Sequence, residues 1–220
     1  MLRALAPLSS DRSIVLVGGQ AVAFWASVLE SRGVPAPAAD LLTSKDVDFE
    51  GNARAARRAA ELLGGVARIP SMDEHTPNTG LVLFNDSEGI DREIDFIGEP
   101  LGLRHRDVRD TAVLLTLDSA DQNDVPLWLM HPERCMESRV YNVQVLRHDD
   151  DQAIRKLCAS IVCAREWSRL LLGDEGIPDS DRVRAVLRIN ERIFKKVRRR
   201  SPLPRALRRA RRRSLRGRAG

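Results

Sequence analysis

Aromatic residues are scarce in this 220-residue chain, at 4%. Hydrophobic residues still reach 43%, so a core exists and must be mostly aliphatic. Cysteine is also scarce. Cys135, Cys158 and Cys163 are odd in number and lack metal-ligand spacing, which excludes a disulfide scaffold and suggests reduced thiols in a cytoplasmic protein. No apolar run approaches the roughly 18 residues that span a bilayer. The apolar stretch within Met1–Ser10 contains Pro7 and is too short for a signal peptide. No internal repeat is visible, and no membrane association is expected. Acidic residues are missing altogether from 192–220, which carry 14 Lys+Arg. Removing those 14 from the total of 36 leaves 22 basic residues against 31 acidic ones, a net of −9 for the rest of the chain. The pI of about 9.6 therefore describes the tail and not the body.

What is present begins with Ile14-Val15-Leu16-Val17, an apolar run that stops at Gly18-Gly19. Gln20–Ser31 follows with Ala21, Phe24, Trp25 and Val28 at helical spacing and Gly33 as a stop, and Trp25 reads as core. Beyond the Pro- and Ala-rich loop Val34–Leu42 comes Ser44-Lys45-Asp46-Val47-Asp48-Phe49. Alternate residues of a strand share a face, so Asp46 and Asp48 are expected side by side, with Val47 and Phe49 turned to a core. Converging carboxylates repel unless a cation lies between them, and hard oxygen ligands suit Mg²⁺ with a phosphate substrate. Gly18-Gly19 permits close backbone approach, and a following helix N-terminus favours an anion. Asp95, in the apolar run Glu93-Ile94-Asp95-Phe96-Ile97, is a third costly charge; Glu93 shares its parity but reads as a solvent-facing strand end.

The strand ending in Gly18-Gly19, then Asp46-Val47-Asp48, then a later strand Asp, resembles the DNA polymerase beta-like nucleotidyltransferase superfamily. Val17–Ala21 together with Thr43–Asp48 looks most like the small bacterial nucleotidyltransferases of abortive-infection and toxin–antitoxin systems. The motifs cover residues 13–98, and element order extends the likeness to about 172. The resemblance implies an Mg²⁺-dependent transfer of a nucleoside monophosphate from a nucleoside triphosphate to an acceptor hydroxyl. It implies that Asp46, Asp48 and Asp95 are catalytic and hold the metal, with Asp95 activating the hydroxyl. Gly18, Gly19, Gln20 and Lys45 would contact the nucleotide, joined by Ser138 and Arg139, with Asn142, from a Pro-started helix. A cognate antitoxin is the implied partner of a toxin. Many members carry Gly-Ser where this chain has Gly18-Gly19, so a non-catalytic nucleotide- or RNA-binding protein of the same fold is the second reading.

The expected class is α+β: a mixed sheet flanked by helices over 1–130, a helical part over 131–194, and an Arg-rich, disordered tail over 195–220. Asn52 should cap a helix through Leu63 that ends at Gly64-Gly65, with Arg54, Arg57 and Arg58 on a solvated face. Val66–Ile69, Gly80–Phe84 and Arg92–Ile97 read as strands, the last two joined through Asn85–Gly89 as a hairpin that lays Asp95 beside Asp46 and Asp48. Leu101–Asp110 reads as irregular, and Thr111–Leu117 and Pro126–Met130 as edge strands. Pro132 starts a helix, and Asp149-Asp150-Asp151 caps a long one that Gly173 ends. Pro178 or Ser180 starts another. The tail can neutralise RNA or tRNA phosphates, or dock on an acidic partner.

Overall fold

The computed structural model describes residues 1–38, 41–42, 46–117, 124–146 and 150–173, together with 180, 181, 183, 184, 186–188 and 191. Among them, seven strands form one mixed sheet: β1 (Val15–Leu16), β2 (Val47–Glu50), β3 (Val66–Arg68), β4 (Asn78–Asn85), β5 (Asp91–Ile97), β6 (Val113–Leu117) and β7 (Val125–Leu129). Their order is β3-β4-β5-β2-β1-β7-β6. Helices flank it: α1 (Ala6–Ser10), α2 (Gly18–Ser31), α3 (Ala53–Leu63), α4 (His105–Arg109), α5 (Pro132–Val145) and α6 (Asp151–Gly173). The protein is thus α+β with a mixed sheet, and no helix among the described residues is long and apolar enough to cross a membrane.

The apolar run at the start of the sequence is buried throughout, from Ile14 to Val17, although only Val15 and Leu16 pair as strand. The following helix starts at Gly18, two residues earlier than its periodicity suggests. Trp25 is 0% exposed; its indole N–H donates to the Met130 carbonyl at 2.8 Å, and its ring lies 4.7 Å from that of Trp167. One large apolar side chain buried this way contributes about 1.5–3 kcal/mol. Cys135, Ala159 and Cys163 from α5 and α6 join the same core as the sheet residues. Residues 180, 181, 183, 184, 186–188 and 191 are helical, while Pro178, Asp149 and the tail 195–220 lie outside the described residues.

The cap of α3 is as expected: Asn52 Oδ1 accepts from the Ala55 N–H at 3.0 Å, and Gly64 is left-handed with φ 65°. The small face of this helix, Ala55, Ala56, Ala59 and Ala60, is buried. It lies close enough to the sheet that a Cβ on Gly80 would stand 2.5 Å from Ala56 Cβ. Phe49 and Phe96 stack on that side at 6.0 Å. By alternation, Asp48 and Asp95 point to the other.

Two expectations fail. Residues 101–110 are not irregular throughout: α4 forms there, where the Asp107 carboxylate accepts from the Arg104 N–H as an N-terminal box. β7 is not an edge strand, since it pairs parallel with β1 and antiparallel with β6. Pro126 suggested an edge because it cannot donate to a ladder. The two-residue β1 reaches β7 only at Leu16–Leu129, so Pro126 lies beyond it and costs no bond there. β6 is an edge, as expected.

Candidate functional site

Parallel pairing of β2 with β5 sets Asp48 opposite Asp95, with Val47–Ile94 and Phe49–Phe96 on either side. The pairing exists because β4 and β5 form the predicted hairpin, whose antiparallel register runs from Asn85–Asp91 to Asn78–Ile97. Asp46 is exposed in a bend just before β2, not within the strand as alternation implied. Its charge nevertheless reaches both partners and raises the Asp48 and Asp95 carboxyls.

Asp48 is pushed from an ordinary 3.8 to about 6, first by burial, then by the charges of Asp95 and Asp46, with Arg139 and Lys156 opposing. Burial also raises Asp95, helped by Glu93 and Asp46 and opposed by a hydrogen bond from Asn78. That bond, Asn78 Nδ2 to Asp95 Oδ1 at 2.7 Å, fixes the carboxylate's direction. Glu93 itself is exposed, as the reading of a solvent-facing strand end expected and despite the parity it shares with Asp95.

Gly18 lies beneath this pair. Its φ is +67°, and a Cβ there would stand 2.0 Å from Asp48 Oδ2. Two independent constraints, left-handed backbone and lack of room, therefore require glycine. The Val17 N–H donates to the Asp48 carbonyl at 2.9 Å, tying the turn to β2.

Asp48 and Gly18 open into a cleft of about 480 Å³, whose far wall includes Ser138, Arg139 and Asn142 from α5. This volume lies within the roughly 300–1,000 Å³ range of small-molecule sites. Pro77, Ile97, Leu101, Met130 and Leu146 make much of its lining apolar. Gly19 is buried and faces a small adjoining crevice with Arg139 and Lys156. Gln20 is half-buried in the first turn of α2 and does not line the cleft; Lys45 lies outside the described residues.

A buried polar network holds α5 against α6 and so aims Ser138 and Arg139. The Trp167 indole N–H donates to His131 Nε2 at 3.1 Å, and Ser168 Oγ donates to Glu133 Oε1 at 3.0 Å. Arg134 donates to Glu137 at 2.5 Å, with both side chains buried. Burial lowers His131 to about 4 and raises Glu133 to about 7.

Sequence reasoning missed Asn78, Lys156, and Glu50 with its partners. Glu50 follows Asp48 on the same face of β2 and is 0% exposed. Arg109 Nε lies 2.9 Å from Glu50 Oε2, and His105 Nδ1 contacts Oε1. These are ion-pair contacts more than aligned hydrogen bonds, since neither Glu50 oxygen nor Arg109 Nε has a well-oriented hydrogen-bond partner. The Asp-x-Asp-x-Glu alternation was the available signal for Glu50. Nothing in spacing pointed to Asn78 or Lys156.

No protein-family model and no curated protein matches the chain.

As to a metal, Asp48 and Asp95 fit Mg²⁺ by chemistry. Both are hard oxygen donors that repel in a partly desolvated site, and Mg²⁺ commonly takes one or two carboxylates and completes its shell with water and phosphate. Among the described residues, no group of three or more His, Cys, Asp or Glu is already drawn together as a metal site. The fit thus rests on that pair, with Asp46 approaching from the bend.

Proposed function

We propose that the protein is a nucleotidyltransferase that moves a nucleoside monophosphate from a nucleoside triphosphate to an acceptor hydroxyl. The observation that carries this reading is the register match of Asp48 and Asp95 on parallel strands, with Asp48 over Gly18 and across a nucleotide-sized cleft from Arg139. Asp48 and Asp95, with Asp46, would hold Mg²⁺, which would offset their repulsion and supply Lewis-acid stabilisation of phosphate charge.

The chain's own groups supply the rest. Arg139 and Ser138 offer donors to the triphosphate from α5, and Gly18 leaves room for the Asp48 carboxylate at the cleft wall. The apolar cleft lining excludes water and can hold a base or sugar. Asp95, oriented by Asn78, takes the proton of the acceptor hydroxyl. That oxygen bonds to the α-phosphorus, the bond from the α-phosphorus to the bridging oxygen breaks, and pyrophosphate leaves with the electron pair. The resemblance of Gly18-Gly19, Asp46-Val47-Asp48 and Asp95 to the nucleotidyltransferase superfamily supports the same reading. An RNA acceptor and an antitoxin partner belong to it as proposals.

Calorimetric titration with each nucleoside triphosphate, with and without Mg²⁺, tests it. Asp48→Asn is expected to lose the Mg²⁺-dependent part of binding. Asp95→Asn is expected to weaken Mg²⁺-dependent binding less than Asp48→Asn does and to lose transfer of labelled nucleotide to total RNA. Unchanged Mg²⁺-dependent affinity in Asp48→Asn would overturn the site assignment.

A further inference from the structure

A second groove, of about 600 Å³, opens between α1, α3 and α4 and shares no lining residue with the cleft. Four arginines line it, Arg54, Arg57, Arg58 and Arg109, together with His105. Only two acids do, Asp11 and Glu61, and Glu61 is already paired with Arg58 at 2.7 Å. Arg54 and Arg57 have no ion-pair partner among the described residues. In a body whose sequence is net acidic, such a cluster is a local reversal of charge.

The cluster is also rigidly mounted. Arg54, Arg57 and Arg58 stand at i, i+3 and i+4 on one face of an eleven-residue helix, within about 6 Å along its axis. That helix is anchored by its buried alanines and its Asn52 cap, and Asn52 itself lines the groove. The opposite wall is clamped. Arg109 reaches the buried Glu50 and donates to the Arg12 and Ser13 carbonyls, at 2.5 and 2.8 Å. Arg54 and Arg57 offer guanidinium forks that match phosphate oxygens, while the donors of Arg109 are taken by Glu50 and the two carbonyls and fix that wall.

We infer that this groove binds the phosphate backbone of an RNA strand, at a site separate from the nucleotide cleft. A protein partner would need an apolar or aromatic anchor, and Leu8 and Ala55 are the only apolar side chains in the lining. Contacts to phosphate position a strand without reading its sequence, so the groove is expected to bind RNA with little base preference.

The test uses the full chain, so the basic tail contributes equally throughout. Affinity for a fluorescent single-stranded RNA of mixed sequence is measured at several salt concentrations for the parent, for Arg54→Gln with Arg57→Gln, and for Arg32→Gln with Arg68→Gln. The last pair makes the same charge change at exposed arginines outside the groove. The groove pair is expected to bind about 10-fold more weakly and to flatten the log–log salt slope by about 1.4, at 0.7 per lost phosphate contact. The outer pair is expected to change affinity less than about 2-fold, and both to keep the parent's melting temperature. Asp48→Asn should leave RNA affinity unaltered, which separates this site from the nucleotide reading. Equal weakening by both pairs would overturn the inference, as would no weakening by the groove pair. Competition by polyglutamate as effective as by RNA of matched charge would overturn it in favour of an acidic protein.

Discussion

Asp48 and Glu50 occupy one face of a single short strand, two residues apart, and meet opposite surroundings. Glu50 is sealed at 0% exposure under Arg109 and His105, which come from α4, more than fifty residues further along the chain. Burial raises its carboxyl, and Arg109 and His105 oppose that rise without cancelling it. Asp48 is half-buried at a cleft, and its nearest strand neighbour is another carboxylate, Asp95. Arg139 and Lys156 oppose the resulting rise without cancelling it. A buried acid with an arginine seated on it holds a structure together; one that faces another carboxylate at a cleft is poised to take a cation or a proton. The same residue chemistry thus meets a half-buried arginine at one end of β2 and an open cleft at the other.

The comparison breaks most sharply at Glu50. Removing one partner of a buried ion pair leaves the other charge stranded, and Glu50→Ala is expected to cost about 3–5 kcal/mol. Urea denaturation would show this as a lower midpoint at an unchanged slope. A loss under about 1 kcal/mol would mean that the clamp is not structural.

Asp48 is expected to behave in the opposite sense. Its folded value of about 6 lies above the ordinary 3.8, so the native state holds the proton more tightly than the unfolded chain. That contribution is present at low pH and is lost as pH rises from about 4 to about 6. Asp48→Asn is therefore expected to raise stability at pH 8 by about 1–3 kcal/mol and to change little near pH 4. Thermal or urea melts at the two pH values measure it, and a variant destabilised at pH 8 would contradict the under-compensated reading.

The smallest effect sharpens the electrostatics. Arg139 lowers the Asp48 carboxyl from across the cleft, so Arg139→Gln should move its titration above about 6. A carbon-detected NMR titration reads the shift directly; an unmoved midpoint would separate Arg139 from the site.

Much of the arrangement is local and therefore legible along the chain. The strand-to-helix turn at Gly18, the helix cap at Asn52, the left-handed Gly64 and the hairpin that carries Asp95 each depend on a few neighbouring residues whose backbone preferences and hydrogen bonds act at short range. Period-two alternation placed Asp48 correctly opposite the face of Phe49. It failed for Asp46, because the strand begins only at Val47 and alternation has no meaning before the ladder forms.

What the sequence by itself determined is most of the elements, though not α1 or α4, and the two carboxylates that a strand pairing could unite, because local propensity and periodicity are written in adjacent residues. Tertiary structure alone decided which charges are compensated. Asn78 meets Asp95 across 17 residues, Arg109 meets Arg12 across 97, and Arg139 and Lys156 reach Asp48 from helices far along the chain. The first needs only the β4–β5 hairpin to close, whereas the others require elements distant in sequence to pack on the sheet. A residue's charge is a property of its side chain, whereas its burial and its partners are properties of the fold.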